Sequence, residues 1–203
     1  MAAPKAKTIQ QRFGFMDNDL KTANHDDIMI WLDNAVSSML HMWLGCSQDW
    51  ILDDFQFAYE DQYPRWGSIE KPFPDKQNTF ESLHTPEKPK IDITSKVWEQ
   101  PIYTGGEGYR QNKYIVGFAD MLVIYKHPKL YYNIDSEEFN IYKDDRYVFF
   151  EVKSSIPSLG ELIRQIRMYQ QYVSGKWLIV SPDDKFADQL NAQGIGFIKY
   201  HAT

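Results

Sequence analysis

The C-terminal part of the chain carries the pattern that most restricts the fold. Segments of strand length alternate with segments of helical periodicity, in the order RYVFFEVKSS, PSLGELIRQIRMYQQYVSGK, KWLIVSPD, DKFADQLNAQ and GIGFIKYHA. Ser158 is placed to cap the longer helix, Glu161 to complete a capping box and Gly175 to close it. Strands that are joined through helices need right-handed crossovers. We therefore expect parallel strands in this half of the protein.

The N-terminal half of the chain lacks this alternation of strands and helices. A long helix is predicted by apolar residues at helical spacing in HDDIMIWLDNAVSSMLHMWLG. The turn-rich stretch GGEGYRQN joins two predicted strands, SKVWEQPIYT and KYIVGFADMLVIYK, into an antiparallel hairpin. Residues 1–20 are expected to form a flexible arm, and residues 60–92, rich in Pro, Lys, Glu and Asp, a surface excursion. Together the two halves predict an α/β fold with a central mixed sheet flanked by helices.

Composition limits the class of protein. With 203 residues, 43% of them hydrophobic, residues 1–203 can form a single domain with a substantial core. The sequence has no apolar run near about 18 residues and no signal-peptide pattern, so we expect a soluble cytoplasmic protein with no membrane contact. Cys46 is the only cysteine, which excludes an internal disulfide and an iron–sulfur cluster. The net charge of −6 requires local basic groups or a bound metal for any contact with nucleic acid.

Charged residues interrupt two segments that otherwise predict buried strands. Because side chains alternate along a strand, Glu151 and Lys153 share a face with Tyr147 and Phe149. By the same count Asp120 is the one charge among the apolar residues Val116, Phe118, Leu122 and Ile124. A carboxylate in such a row is costly unless something pairs with it. If the two strands are neighbours, Asp120 and Glu151 converge on one point with Lys153 beside them.

Two convergent carboxylates favour a cation between them, and oxygen ligands select Mg²⁺ or Mn²⁺. The carbonyl of Val152 is a candidate further ligand. Such a metal would polarise a phosphate and acidify a water, and the Lys153 ammonium would orient that water and stabilise negative charge. The arrangement therefore suits phosphodiester hydrolysis. An ordinary salt bridge of Lys153 with Glu151 or Asp120 remains the alternative.

The helix that follows places a further polar group near these strands. At about 100° per residue its apolar stripe consists of Leu162, Ile166, Tyr169 and Val173, and Gln165 lies on the edge of that stripe beside Tyr169. A glutamine on this edge reaches the strand ends that carry the carboxylates. The alternative is a glutamine at the rim, bonded to backbone.

The three groups together resemble a known set of motifs. GFAD (Gly117 to Asp120), EVK (Glu151 to Lys153) and QIRMY (Gln165 to Tyr169) resemble the GxxD, ExK and QxxxY motifs of the PD-(D/E)XK nuclease superfamily, in its RecB-like and phage-exonuclease-like branch. The resemblance covers approximately residues 26–200 and implies a restriction-endonuclease-like core. It also implies that Asp120 and Glu151 bind metal, that Lys153 is the catalytic lysine, and that Gln165 and Tyr169 position the site or the DNA.

Looser matches extend this resemblance. Glu99 resembles an acidic position that precedes the GxxD strand in this branch, and His41 resembles a first-helix histidine that some RecB-like nucleases use as a metal ligand. Glu60 is the fallback for the role of His41. The alternatives are a glutamate on the strand surface and a simply packed histidine. The gap between Asp120 and Glu151 exceeds the usual connection, so residues 127–146 are expected to be an inserted hairpin or loop.

The implied function is that of a Mg²⁺- or Mn²⁺-dependent deoxyribonuclease acting on single-stranded DNA or duplex ends in replication, recombination or repair, as an exonuclease rather than an endonuclease. No helicase motif accompanies the domain, so the resemblance favours a stand-alone viral or phage enzyme, acting in the host cytoplasm, with a homo-oligomer possible. Lys126, His127, Lys129, Arg164 and Arg167 could supply a basic rim, and the alternative is that they are scattered solvated charges. Two alternatives stay open: an inactive nuclease-fold module that binds nucleic acid or a protein, and a phosphoesterase for small molecules.

Overall fold

The structure of the protein, a computed structural model, describes residues 23–44, 56–58, 91–104, 114–133 and 138–201. The elements of this part are α1 (Ala23–Trp43), β1 (Gln56–Ala58), β2 (Asp92–Tyr103), β3 (Ile115–Asn133), β4 (Glu138–Val152), α2 (Leu159–Gln170), β5 (Lys176–Ser181), α3 (Ala187–Ala192) and β6 (Gly196–Lys199). The predicted arm, the surface excursion up to residue 90 and Glu60 lie outside the described residues. None of the described helices is long and apolar enough to span a membrane.

The strands of the described part form one mixed sheet. β3 pairs with β2 and with β4 in antiparallel orientation, and its far end pairs with the short β1 in parallel. β4, β5 and β6 pair with one another in parallel, as helical crossovers between consecutive strands require. This arrangement confirms the predicted α/β fold with a central mixed sheet.

Helices cover both faces of this sheet. On one face the α1 stripe of Ile28, Leu32, Val36 and Leu40 packs on strand residues that include Phe150, Val152 and Val180. On the other face α2 and α3 pack on strand residues that include Phe149, Trp177 and Ile179. Phe149 and Phe150 enter opposite clusters, so the alternation predicted for β4 is confirmed. A slip by one residue would exchange the two faces, which is why burial on both sides fixes the register of β4.

The predicted insertion is part of a long ribbon formed by β3 and β4. Residues 127–146 lie in antiparallel pairing of the kind predicted for a hairpin, and this pairing continues without a register shift from Met121–Phe150 to Asn133–Glu138. Aromatic and β-branched residues recur along both segments, and these residue types favour an extended, paired backbone. The longer connection between Asp120 and Glu151 therefore lengthens two core strands.

Helix α2 begins as predicted and ends early. Its N-cap is Ser158, whose Oγ accepts a hydrogen bond from the Glu161 N–H at 3.4 Å. The helix ends at Gln170, so the prediction that Gly175 closes it is wrong. Gly175 instead lies against β4, where a Cβ atom would come within 2.7 Å of the Tyr147 carbonyl oxygen and of the Phe149 ring. This glycine therefore permits close packing of the α2–β5 connection.

Candidate active site

Asp120 and Glu151 lie where β3 and β4 stop pairing. The last paired residues of these strands at this end are Met121 and Phe150. Beyond them β3 stays paired with β2, and β4 stays paired with β5. The N–H of Val152 donates a hydrogen bond to Asp120 Oδ2 at 2.7 Å, so a side chain replaces the backbone of β3 as its partner. The structure thereby brings the Asp120 carboxylate to the end of β4 that carries Glu151.

Lys153 and Glu151 form a buried ion pair at the same strand end. Lys153 Nζ lies 3.1 Å from Glu151 Oε1. The relative exposures of Asp120, Glu151 and Lys153 are only 5%, 2% and 9%. Burying a charge costs several kcal/mol per ion even in real proteins, and good pairing has to offset this cost. The salt bridge that the sequence analysis gave as the alternative is therefore present, between Lys153 and Glu151. It differs from a surface pair because it is buried at the strand end that the Asp120 carboxylate also reaches.

Helix α2 brings Gln165 and Tyr169 to this group. Gln165 Nε2 donates hydrogen bonds to Glu151 Oε1 at 2.8 Å and to the Tyr169 hydroxyl at 3.2 Å. Burial and the charge of Glu151 raise the pKa of Tyr169 to about 12. The hydroxyl therefore keeps its proton at neutral pH and acts as a hydrogen-bonding group. Both residues lie where the helical spacing in the sequence predicts them.

Gly117 is the position that lets Tyr169 reach the site. A Cβ atom added at Gly117 would overlap the ring and the hydroxyl oxygen of Tyr169. Tyr169 is 6% exposed and stands beside Trp177, with ring centroids 5.5 Å apart. The glycine of GFAD and the tyrosine of QIRMY therefore form one packing unit, although 52 positions separate Gly117 from Tyr169 (169 − 117).

His25 is a site residue that the sequence reasoning missed. It lies in the first turn of α1, it is 5% exposed, and its Nε2 atom lies 3.6 Å from Asp120 Oδ1. This separation is an ionic contact and too long for a hydrogen bond. His25 occupies the buried side of α1, one turn before Ile28, so helical spacing was the signal that could have found it.

His41, the histidine chosen from the sequence, lies elsewhere. It occupies the exposed last turn of α1, about 24 Å along the helix axis from His25 at 1.5 Å per residue. The structure does not bring His41 to the carboxylates. Glu99 does lie near them, in β2, because the pairs Trp98–Met121 and Gln100–Ala119 place it opposite Asp120.

The charge balance of the site is compatible with a bound cation. The two buried carboxylates and Lys153 have further ionisable neighbours, among them His25 beside Asp120 and Glu99 opposite it on β2. Burial lowers the pKa of His25, but the Asp120 carboxylate outweighs burial and, with a smaller contribution from Asp26, raises that pKa. Nε2 of His25 is buried beside Asp120 without a hydrogen-bond partner, and it can bind a metal only as the neutral imidazole.

The donor set fits Mg²⁺ or Mn²⁺ rather than a metal that needs a protein cage. Within the described ranges no three His, Cys, Asp or Glu side chains form a ready group around one point. Mg²⁺ is commonly held by one or two carboxylates and completes its shell with water and substrate phosphate. Asp120, Glu151 and the predicted carbonyl of Val152 would supply the oxygen atoms for such an ion, and His25 Nε2 lies 3.6 Å from Asp120 Oδ1.

The predicted basic rim is partly engaged in protein contacts. Lys126 forms an ion pair with Asp145 at 2.8 Å. Arg167 donates to Gln170 and to the backbone carbonyl of Gln193, at 2.8 and 2.6 Å. These two cations already have partners, so they are weaker candidates for contacts with a phosphate backbone than the sequence suggested.

Comparison of the chain with protein-family models, curated protein sequences and solved structures gives no significant match. The functional inference therefore depends on the geometry of the site and on the order of its motifs in the chain.

Proposed function

We propose that the protein is a Mg²⁺- or Mn²⁺-dependent DNA nuclease with a restriction-endonuclease-like core of the PD-(D/E)XK type. One observation carries the proposal: Asp120, Glu151 and Lys153 are buried together at the point where β3 and β4 separate, and Gln165 from α2 binds the glutamate. Burying charge in this way costs stability even when it is paired, and clusters of buried ionisable groups are common at functional sites. The three motifs also occur in the chain order of that superfamily.

Each side chain has a defined task in the proposed reaction. The Gln165 amide holds Glu151 Oε1, which leaves the carboxylate in one orientation. Asp120 is held through its second oxygen by the Val152 N–H. The Lys153 ammonium, 3.1 Å from Glu151, is placed to orient an attacking water and to stabilise charge on the phosphate. A divalent cation bound by the carboxylates would polarise the phosphate and acidify that water.

An exposed aromatic ring near the site favours single-stranded DNA or frayed duplex ends as the substrate. Trp98 is 43% exposed on β2 and pairs with Met121, the residue next to Asp120. Bases stack on such rings without sequence preference, but only where they are unpaired. This position favours a strand that is already open at the site of cutting, as expected for an exonuclease in replication, recombination or repair.

The test is cleavage of end-labelled linear single-stranded DNA, linear duplex and closed circular DNA with Mg²⁺, Mn²⁺ or EDTA. Wild type is compared with Glu151→Ala and Lys153→Ala. The matched control is Lys185→Ala, because Lys185 also contacts a carboxylate, Asp183, at 3.0 Å, but its side chain is 50% exposed. We expect metal-dependent cutting that both site variants abolish and the control retains, with circles spared.

Three results would redirect the proposal. Cleavage of circles would make the enzyme an endonuclease. Hydrolysis of nucleotide esters without cleavage of DNA would favour a phosphoesterase for small molecules. If folded wild-type protein binds DNA but cuts nothing with either metal, the protein is better described as an inactive nuclease-fold module.

A further inference from the structure

Glu99 has a backbone conformation that its side chain disfavours. Its φ angle is +51°, and it is the one non-glycine residue with positive φ in the part of the chain that the structure describes. A residue with a Cβ atom adopts this left-handed region at a cost, and it persists only where the surroundings impose it. Such residues cluster at functional sites.

The strained residue Glu99 lies in the sheet directly opposite the candidate ligand Asp120. The flanking pairs Trp98–Met121 and Gln100–Ala119 keep the same register, so Glu99 and Asp120 lie opposite each other. Neither residue is paired in the ladder itself. The candidate ligand Asp120 therefore lies at an interruption of β2–β3 as well as at the end of β3–β4.

The direction of the side chains reverses across this interruption. Ala119 and Leu122 both pack in the cluster under α2, although three positions separate them along β3. On β2, Val97 and Ile102 both pack on that cluster at a separation of five. Strict alternation places residues at odd separations on opposite faces. The alternation assumed from the sequence therefore fails here, in both strands.

We propose that Glu99 is a positioning residue: its left-handed backbone reverses the alternation of β2 and β3 and thereby directs the Asp120 carboxylate at the end of β4. The role belongs to the main chain of Glu99 and needs no charge on its side chain. The proposal deepens the proposed function, because it concerns the same site. The proposal can be tested without a cleavage assay, because it predicts that Glu99 maintains the hydrogen bond from the Val152 N–H to Asp120 Oδ2, which is 2.7 Å long.

The experiment compares Glu99→Gly, Glu99→Asn, Glu99→Gln and Glu99→Val. Gly and Asn adopt left-handed backbone readily, Gln preserves the shape of Glu without its charge, and β-branched Val strongly disfavours positive φ. Hydrogen exchange of the Val152 amide reports on the contact with Asp120. The Lys153 amide is the internal control, because it donates to the Val180 carbonyl at 2.9 Å in the β4–β5 pairing.

We expect Glu99→Val to speed exchange at Val152 about tenfold or more relative to Lys153, and to lower metal-dependent cleavage by a similar factor. The Gly, Asn and Gln variants should stay within about threefold of wild type in both measurements. Unchanged exchange at Val152 in Glu99→Val would overturn the proposal. Loss of cleavage in Gly and Gln alike, with Val152 still protected, would assign the role to the carboxylate and also overturn it.

A second comparison covers the case in which Glu99→Val does not fold. At an ordinary strand position Gly is less stable than Ala, whereas at a left-handed position Gly is the more stable. Glu99→Gly should therefore melt at a higher temperature than Glu99→Ala and protect the Val152 amide better; the reverse order would contradict the proposal. If wild type cuts no DNA, the proposed function fails while these measurements still decide the role of Glu99.

Discussion

The protein has two clusters of carboxylates and lysines at strand ends, and they differ in burial. The buried charge cluster consists of Asp120, Glu151 and Lys153, each at most 9% exposed. The exposed charge cluster follows β5, where Asp183 contacts Lys185 at 3.0 Å and Asp184 contacts Lys199 at 2.6 Å; the exposed fractions of these side chains are 26%, 50%, 51% and 44%.

The difference teaches that residue type and spacing alone do not define the site. In the exposed charge cluster each carboxylate has its own lysine, and water screens the pairs. In the buried charge cluster two carboxylates face one lysine, with a backbone N–H, an amide and a histidine as the other neighbours. The proposed metal site therefore depends on carboxylates that are shielded from water, and not on the presence of carboxylates and lysines alone.

The largest expected effect is on catalysis, from Glu151→Gln. Removing one carboxylate should lower metal-dependent cleavage by about 10³-fold, which corresponds to about 4 kcal/mol of activation free energy. Asp183→Asn is the matched substitution in the exposed charge cluster and should leave the rate within about twofold. The measurement is the single-turnover rate at saturating metal for both variants. Equal losses in the two variants would remove the distinction between the clusters.

The next effect is on stability, from Gly117→Ala. The added methyl group overlaps the Tyr169 ring, and overpacking of this kind costs about 1–3 kcal/mol. In the background of Tyr169→Ala the same change should cost almost nothing, so the double-mutant cycle should give a coupling energy of about 1–3 kcal/mol. The measurement is the free energy of unfolding in urea.

Gly160→Ala is the control for this cycle. Gly160 lies in the first turn of α2 and is exposed, and the nearest atom to an added Cβ would be an Arg164 nitrogen at 3.7 Å. Ala is favoured over Gly in a helix, so this variant should gain up to about 1 kcal/mol. A cost at Gly117 that persists without the Tyr169 ring would show that the glycine serves the backbone of β3 rather than the packing of Tyr169.

A smaller effect separates the two histidines of α1. His25→Ala should raise the Mn²⁺ concentration for half-maximal cleavage by about tenfold, as loss of a supporting ligand group does. His41→Ala, at the exposed end of the same helix, should leave this concentration unchanged. It should change the free energy of unfolding by no more than about 0.5 kcal/mol. The measurement is a metal titration of the cleavage rate. A shift at His41, or none at His25, would reverse the assignment.

The sequence predicted the parts of the site that depend on local geometry. Alternation along β4 and the 3.6-residue repeat of α2 are properties of single elements, so the shared face of Glu151 and Lys153 and the position of Gln165 beside Tyr169 could be predicted from spacing. The capping residue Ser158 was readable for the same reason. Asp120 was found because a charge in an apolar strand needs a partner. Its neighbours Val116, Leu122 and Ile124 share one cluster as predicted, but Ala119 packs there as well.

The remaining features depend on how elements dock and on where the backbone is strained. The stripe of α1 contains His25, but which end of the helix approaches Asp120 is set by packing on the sheet. The left-handed backbone of Glu99 has no pattern in the sequence, because glutamate rarely adopts it. A hairpin within residues 127–146 was predicted, but its continuity with the core parts of β3 and β4 was not, because a shared register is a tertiary property of two segments.

The smallest effect is expected in the exposed charge cluster, from Lys199→Ala. The hydrogen bond from Lys199 lowers the pKa of Asp184 in the folded protein. The contribution of this pair to stability is therefore present above the ordinary aspartate pKa and is lost as pH falls through the lower folded value. Because both side chains are about half exposed, Lys199→Ala should shift the urea midpoint only slightly at pH 7, less in about 1 M salt, and progressively less as pH falls below the ordinary aspartate pKa and Asp184 becomes protonated. A shift as large as that of Gly117→Ala, or one that salt leaves unchanged, would mean that water does not screen this pair, and the contrast between the two clusters would then need a cause other than burial.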